Sequence, residues 1–205
     1  MDNLVSLDKS LVKKASQTCA NAFADDPETV YLIPDEKKRA NLHFAFAYFL
    51  RMSLIEKTEV YTTSPDCEGV AMWTLSEKKT PWWIIFPIFL VNPFLPLRCG
   101  WRYIWRMISF NRFAEKIKKQ YAPRPHEYLA LLAVDPVQQG KGFASRLLRP
   151  MLERLDKQKL PAYLETQNMK NVNMYRHFGF ELVYETTFPR TTLPLYIMVR
   201  KPFTP

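Results

Sequence analysis

The chain has 205 residues, 47% of them apolar and 14% aromatic, a globular composition that excludes a disordered or fibrous polypeptide. This length suits one domain carrying an insertion, and it can bury roughly 70% of the unfolded surface, so no disulfide or metal staple is required. The formal net charge of +9 implies an anionic partner, which need not be a nucleic acid, and none is expected.

Cys19, Cys67 and Cys99 lie far apart, an odd count without close pairs, which argues against a disulfide framework and against a zinc site. They read as small buried hydrophobes in a reducing compartment. The opening MDNLVSLDKSLVKK has no apolar signal-peptide core, so a cytoplasmic location is expected.

In chain order, Leu11, Val12, Ala15, Cys19, Ala22 and Phe23 recur at helical spacing behind Asp8 or Ser10 as a cap, and Asp26-Pro27 ends that helix. A second helix follows Pro34-Asp35. Residues 59–63 and 69–75 read as strands joined by Ser64-Pro65-Asp66, a hairpin. Residues 81–97, PWWIIFPIFLVNPFLPL, are apolar but broken by Pro87, Pro93 and Pro96, too short and interrupted for a membrane span. Trp101, Ile104, Trp105 and Ile108 then share one helix face and Arg98, Arg102 and Arg106 another.

From residue 128 to 134 the apolar run suits a buried central strand. A glycine loop follows, and then a helix marked by Phe143, Leu147, Leu148, Met151, Leu152 and Leu155, with Pro150 inside it as an expected kink. Residues 162–166 read as a strand, 171–178 as a short helix stopped by Gly179, and 180–184 and 195–200 as strands, the last at an edge or paired antiparallel with its neighbour. The order gives a mixed α/β sheet.

The loop Gln139-Gly140-Lys141-Gly142-Phe143-Ala144 has three ligand readings. A Walker loop needs Ser or Thr directly after the lysine, but Gly142 follows Lys141 and Ser145 comes too late. A dinucleotide fingerprint belongs after the first strand of its unit and has three glycines; this loop is late and has two. The third reading is a diphosphate held by backbone amides at a helix N-terminus, where unpaired N–H groups and the positive dipole end need neither metal nor hydroxyl. A ligand-free turn is the plain alternative.

The pattern Gln139-x-x-Gly142-x-Ala144, after a strand ending Leu-Ala-Val-Asp-Pro, resembles the acyl-CoA pyrophosphate loop of the GCN5-related N-acetyltransferases (GNAT). LETQNMKNVNMYRHFGF, residues 164–180, resembles that superfamily's second signature, with Asn168, Tyr175 and the Gly179-Phe180 pair at matching places. The Leu-Glu-Thr opening, Asn171-Val172 and FADDPETVYLIPD near the N-terminus look closer to the puromycin N-acetyltransferase-like branch. The resemblance implies one GNAT-like domain over 1–205, a mixed, mostly antiparallel sheet of six to seven strands, splayed at the middle and flanked by helices. Residues 81–125 form an insertion with no counterpart in it. It also implies acetyl-CoA as cofactor and acetyl transfer to a primary amine of a small molecule by direct attack.

Carried over to this sequence, the resemblance implies that backbone groups of Leu132, Ala133 and Val134 pair with the pantetheine arm and that amides of Gln139, Gly140, Lys141, Gly142, Phe143 and Ala144 hold the diphosphate. Asn168 and Asn171 help hold the pantetheine end, and Tyr175 is the general acid, a phenol of pKa about 10 that stays protonated at neutral pH. Glu165, at the end of its strand, reads equally as a general base or as an ion-pair member within the sheet. His126 and Glu127 enter the central strand and could reach the acceptor side, although a lone histidine there is more often structural. No metal site is expected. The basic aromatic insertion reads as a lid or packed extension, the latter including a homodimer contact, in preference to a surface lying on a membrane. From another class, a non-catalytic acyl-CoA-binding or membrane-peripheral module is the rival; a protein or peptide acceptor is the alternative within enzymes.

Overall fold

A computed structural model describes residues 4–56, 58–75 and 101–203. The apolar stretch 81–97 with Trp82 and Trp83, together with Arg98, Cys99 and the Trp101 side chain, lies outside the described residues, so its expected role as a lid is not reached.

The elements follow as β1 (Val5–Ser6), α1 (Val12–Phe23), α2 (Pro27–Leu32), α3 (Glu36–Arg39), α4 (Leu42–Ile55), β2 (Glu59–Thr62), β3 (Gly69–Leu75), α5 (Trp101–Tyr121), β4 (Glu127–Val134), α6 (Phe143–Gln158), β5 (Ala162–Thr166), α7 (Met169–Arg176), β6 (Glu181–Thr187) and β7 (Pro194–Arg200). The strands form one seven-stranded sheet in the order β1-β2-β3-β4-β5-β7-β6. Every pairing is antiparallel except β4 with β5. The last strand is therefore interior, between β5 and β6, and not at an edge.

Two differences from the sequence reading bear on function. Asp26-Pro27 does not merely stop α1. Asp26 accepts the Glu28 N–H at 2.9 Å and caps a new helix, α2, with Pro27 at its first position, where no N–H is needed. On α5, Ile104, Phe110, Ala114 and Ile117 are buried while Trp105 is 73% exposed. Arg106 is no free cationic face either: it donates to the Tyr31 carbonyl at 2.8 Å and lies 5.3 Å over the Tyr31 ring, clamping α2 to α5. The face a helix buries is set by the partners it meets, so periodicity alone misassigned this one.

The core forms on both sides of the sheet. Leu147, Leu148, Met151 and Leu155 of α6 pack with Ala71, Trp73, Leu129, Leu164 and Met198 on one face. On the other, Ala15, Cys19 and Leu50 of α1 and α4 meet Val70, Met72, Leu131 and Ala133, and α5 covers Tyr163, Leu195 and Ile197. Each such apolar side chain is worth about 1.5–3 kcal/mol when fully buried. Cys19 and Cys67 are buried free thiols, as expected of small hydrophobes. Among the described residues no helix is long and apolar enough to cross a membrane.

In β4, Leu129 pairs with Trp73 and Leu131 with Met72, so Ala130 is the extra residue of a β-bulge. Leu129 consequently packs on the α6 face while Leu131 and Ala133 pack on the α1–α4 face, an inversion that regular alternation forbids. Pairing of β4 with β5 stops beside this bulge: only Glu127 with Ala162 and Tyr128 with Tyr163 are in register. Residues 129–134 keep β3 on one side and leave the other side open, which is the expected splay.

The far half is tied together by Arg200. Its guanidinium grips both oxygens of Asp156 at 2.7 Å and donates from Nε to the Phe178 carbonyl at 3.0 Å, while Asp156 also accepts the Phe203 N–H at 2.7 Å. This holds the Asp156 carboxyl below its ordinary value. A lowered carboxylate pKa gives stability that is full above the unfolded value of 3.8 and lost as pH falls through the folded one. Arg200→Ala should therefore cost about 2 kcal/mol at neutral pH, because it strands a half-buried carboxylate. That should lower the melting temperature by roughly 4–8 °C, and the deficit should shrink below about pH 4. Equal melting temperatures of variant and parent would remove the tie.

Candidate active site

The loop between β4 and α6 has the conformation its glycines permit. Gly140 and Gly142 have φ of +79° and +83°, and a Cβ built on either meets nothing within 4 Å. The left-handed backbone favours glycine, and the space above it is open to a ligand. The first α6 amide with a partner outside the helix is Arg146, donating to the Gly142 carbonyl at 3.0 Å. The N–H groups of residues 140–145 donate to no acceptor among the described residues, the normal state of an uncapped helix start. Lys141 is held to the Gln138 amide oxygen at 2.9 Å, and Gln139 donates to the Val134 carbonyl at 3.3 Å. The cradle fits a diphosphate through backbone donors and the helix dipole.

Leu132, Ala133 and Val134 lie on the unpaired edge of β4, directly before this loop. An extended chain can add there as a strand would. Across the opening, Asn168 caps α7 by accepting the Lys170 N–H at 3.0 Å, and Asn171 donates to the Thr166 hydroxyl at 3.2 Å. Each therefore has one amide atom engaged in the fold and the other end of its amide left for a ligand.

Tyr175 is 7% exposed, its ring edge-on to Phe180 at 5.7 Å. Its hydroxyl bonds to no described residue. Burial, and then the Asp26 charge, raise its pKa, so the phenol keeps its proton. Glu165 accepts a hydrogen bond from the Tyr163 hydroxyl at 2.8 Å and has no ion pair within 4 Å among the described residues. Burial raises its pKa against the opposing pull of Tyr163 and Lys118. Lys118 sits 4.0 Å from the centre of the Tyr128 ring, and Tyr128 in turn lies 5.6 Å from Tyr163. Lys118's own pKa is lowered, chiefly by burial.

Two residues of this cluster escaped the sequence reading. Glu28, on the first turn of α2, is pushed up to about 8 by burial, then by the charges of Asp26 and Glu165. Asp26 is raised too, by burial against its two amide contacts. The Asp-Pro-acid signature of a helix start was available in the sequence, but nothing in it said that α2 would lie opposite the end of β5. Of His126 and Glu127, only His126 borders the cluster, its ring 5.3 Å from that of Tyr163. His126 is buried with Nδ1 on the Pro123 carbonyl, and burial lowers its pKa. Glu127 acts electrostatically on Arg154, which belongs to α6 on the opposite face.

Residues 105–180 match the family model described as Acetyltransferase (GNAT) family. An uncharacterized N-acetyltransferase of Schizosaccharomyces pombe is 29% identical over 94% of this chain and 80% of that protein. A Corynebacterium glutamicum structure described as histone acetyltransferase HPA2 and related acetyltransferase superposes with a TM-score of 0.66 at 19% identity, covering 99% of this chain and 97% of that one. Arylalkylamine N-acetyltransferase 2 of Aedes aegypti gives 0.62 at 14% identity, covering 98% of each chain. At such identities the structures speak for the fold, and the opened seven-stranded sheet is the GNAT fold. The family match over the glycine loop and α7, and the likeness to an N-acetyltransferase along most of the chain, support an acetyl-CoA-dependent acetyltransferase similar to the GNAT proteins.

Proposed function

We propose that the acceptor is the primary amine of a small molecule, acetylated by direct attack in the opening between β4 and β5. The observation that carries this reading is the loss of β4–β5 pairing beyond Tyr128 and Tyr163, next to the unbonded Tyr175 hydroxyl and the half-buried Glu165 carboxyl. Within the superfamily, the Leu164-Glu165-Thr166 opening and the Asp26-Pro27 segment favour the puromycin N-acetyltransferase-like branch.

When bound, acetyl-CoA supplies an activated acyl thioester. The amides of Gly140, Lys141, Gly142, Phe143 and Ala144 would hold its diphosphate, the Gln139 N–H being engaged with the Pro136 carbonyl at 3.4 Å, and backbone groups of Leu132, Ala133 and Val134 would bind its arm as an added strand, with Asn168 and Asn171 at the same arm. Donors on that strand also stabilise the oxygen that gains charge as the amine attacks. An ammonium with pKa about 10 must lose a proton first, and Glu165, raised by burial, accepts it directly or through water. As the new C–N bond formed and the C–S bond broke, Tyr175 would give its proton to the departing sulfur, and the proton that the nitrogen sheds on becoming an amide would return to the phenolate. The raised Tyr175 pKa suits this role, since the donor must be protonated at the start.

Tyr175→Phe should lower kcat by about 10²- to 10⁴-fold while leaving CoA affinity unchanged. Free-thiol release with an amine panel and calorimetry with CoA measure the two, and full turnover in the variant removes the proposed acid. Gly142→Ala places a side chain on a backbone at φ +83°, a cost of about 1–2 kcal/mol. CoA binding should weaken by roughly tenfold, and an unchanged dissociation constant would separate this loop from the diphosphate. A third test concerns stability. A carboxyl raised from 4.5 to about 8 makes the native state bind more protons than the unfolded one, so stability falls as pH rises across that window. Glu28→Gln should thus raise the melting temperature at pH 8.5 relative to the parent and have little effect near pH 5. A uniform shift at both pH values contradicts the placement of this carboxyl.

A further inference from the structure

Glu165 stands where β5 loses a neighbour. In-register pairing of β4 with β5 ends at Tyr128 and Tyr163, and Glu165, further along β5, is paired with Ile197 of β7 alone. Alternate residues of a strand project to one face, so Tyr163 and Glu165 lie side by side. Across that step the Tyr163 hydroxyl donates to Oε1 of Glu165 at 2.8 Å, the one hydrogen bond to this carboxyl among the described residues.

The donor itself is held from several sides. Tyr163 is fully buried and packs with Phe110, Ala114 and Ile117 of α5. Its ring lies 5.3 Å from that of His126 and 5.6 Å from that of Tyr128. Lys118 of α5 stands 4.0 Å from the centre of the Tyr128 ring and 5.9 Å from that of Tyr163. A ring packed this way keeps its hydroxyl in place, whereas a glutamate left to itself samples several rotamers. Burial keeps the phenol protonated, so it remains a donor. The other groups that act on Glu165 are Lys118 and Glu115 of α5, with Tyr128 of β4 and Glu28 of α2 coupled to it. Ile197, beside it on β7, does not titrate.

We propose that Tyr163 is a positioning residue for acetyl transfer: by holding Oε1 of Glu165 it fixes that carboxyl at the opening and leaves Oε2 as the atom that takes the proton of the incoming ammonium. This rests on the reading of Glu165 as the general base given above. At that step an N–H bond of the ammonium breaks and an O–H bond forms at Oε2. The nitrogen keeps the electron pair with which it attacks, and Glu165 returns the proton to solvent before the next turnover. Tyr163 exchanges no proton. Its hydrogen bond favours the charged carboxylate, so the base is present at lower pH than burial alone allows.

Tyr163→Phe removes the hydroxyl and keeps the ring. Carbon-13 at the glutamate Cδ follows the carboxyls directly, and the Glu165 signal is the one missing from Glu165→Gln. In Tyr163→Phe the proton affinity of Glu165 should rise by about tenfold, the size of a lost hydrogen bond to a charged group. Turnover is read by thiol release with acetyl-CoA and the panel amine that the parent acetylates fastest. There kcat should fall by about tenfold and the acid limb of its pH profile should move upward by about one pH unit, with the KM for acetyl-CoA unchanged. Added to Glu165→Gln, the same substitution should cost less than about twofold, because the two residues act as one unit. An unshifted Glu165 titration, a parental kcat and pH profile in Tyr163→Phe, or an equal loss with and without Glu165 overturns the proposal. Parental turnover in Glu165→Gln instead sinks the base reading on which it rests, and Tyr163's positioning role with it. Should no amine be acetylated at all, the acetyl-transfer reading fails, while the titration still decides whether Tyr163 governs this carboxyl.

Discussion

An open strand edge in the middle of the sheet is the constraint on which the rest depends. Interior strands normally spend every backbone donor and acceptor on two neighbours, because an unpaired buried amide costs as much as a lost hydrogen bond. Here β4 keeps β3 throughout but shares only two register positions with β5. The bulge at Ala130 is the local cause. One extra residue bends and twists β4, and it carries Leu131 and Ala133 to the opposite face from the one alternation assigns them. The two halves of the sheet then diverge, each with its own helices, and the cleft between them is lined by strand backbone without a strand partner.

The remaining features arrange chemistry around that cleft. The glycine loop follows the open edge after a tight turn whose own amides are spent: Asp135 donates to the Glu68 carbonyl, Gln138 to that of Asp135 and Gln139 to that of Pro136. Asp135 steadies the turn: it caps it through Val137 at 3.1 Å and is held by Asn21 of α1 at 2.9 Å. On the far side, α7 brings Tyr175 and β5 brings Glu165. Below them, Arg106 and Phe188 fix α2, with the Tyr31 ring 5.5 Å from that of Phe188, and thereby fix Asp26 and Glu28. Charge is sorted accordingly. Within a strongly basic protein, burial raises the pKa of Asp26, Glu28 and Glu165, and for Glu28 the charges of the other two add to it. Such a site stores unfavourable electrostatics in the free protein, as functional sites commonly do.

Much of this was legible in the residues themselves. The 3.6-residue spacing of Leu148, Met151, Leu152 and Leu155 marks α6, and the uninterrupted apolar run to Val134 marks a strand covered on both faces. Gly179 marks the end of α7, where φ is +83°. The glycine loop with Asn168, Tyr175 and the Gly179-Phe180 pair resembles the two GNAT signatures, and the opened sheet which that resemblance implies is the one observed. The two-residue β1 was not legible, being too short for any periodicity to register.

What the sequence by itself determined, then, is what local physics controls: where helices and strands begin, where the backbone must turn left-handed, and which segment offers unpaired amides. The tertiary structure alone decided the bulge at Ala130, the burial of Ile104 with Trp105 left in solvent, and the electrostatic influence of Glu165 on Glu28 from more than a hundred residues away. Those depend on contacts between segments distant in the chain, and a carboxylate's environment, unlike a helix cap, carries no signature in its immediate neighbours.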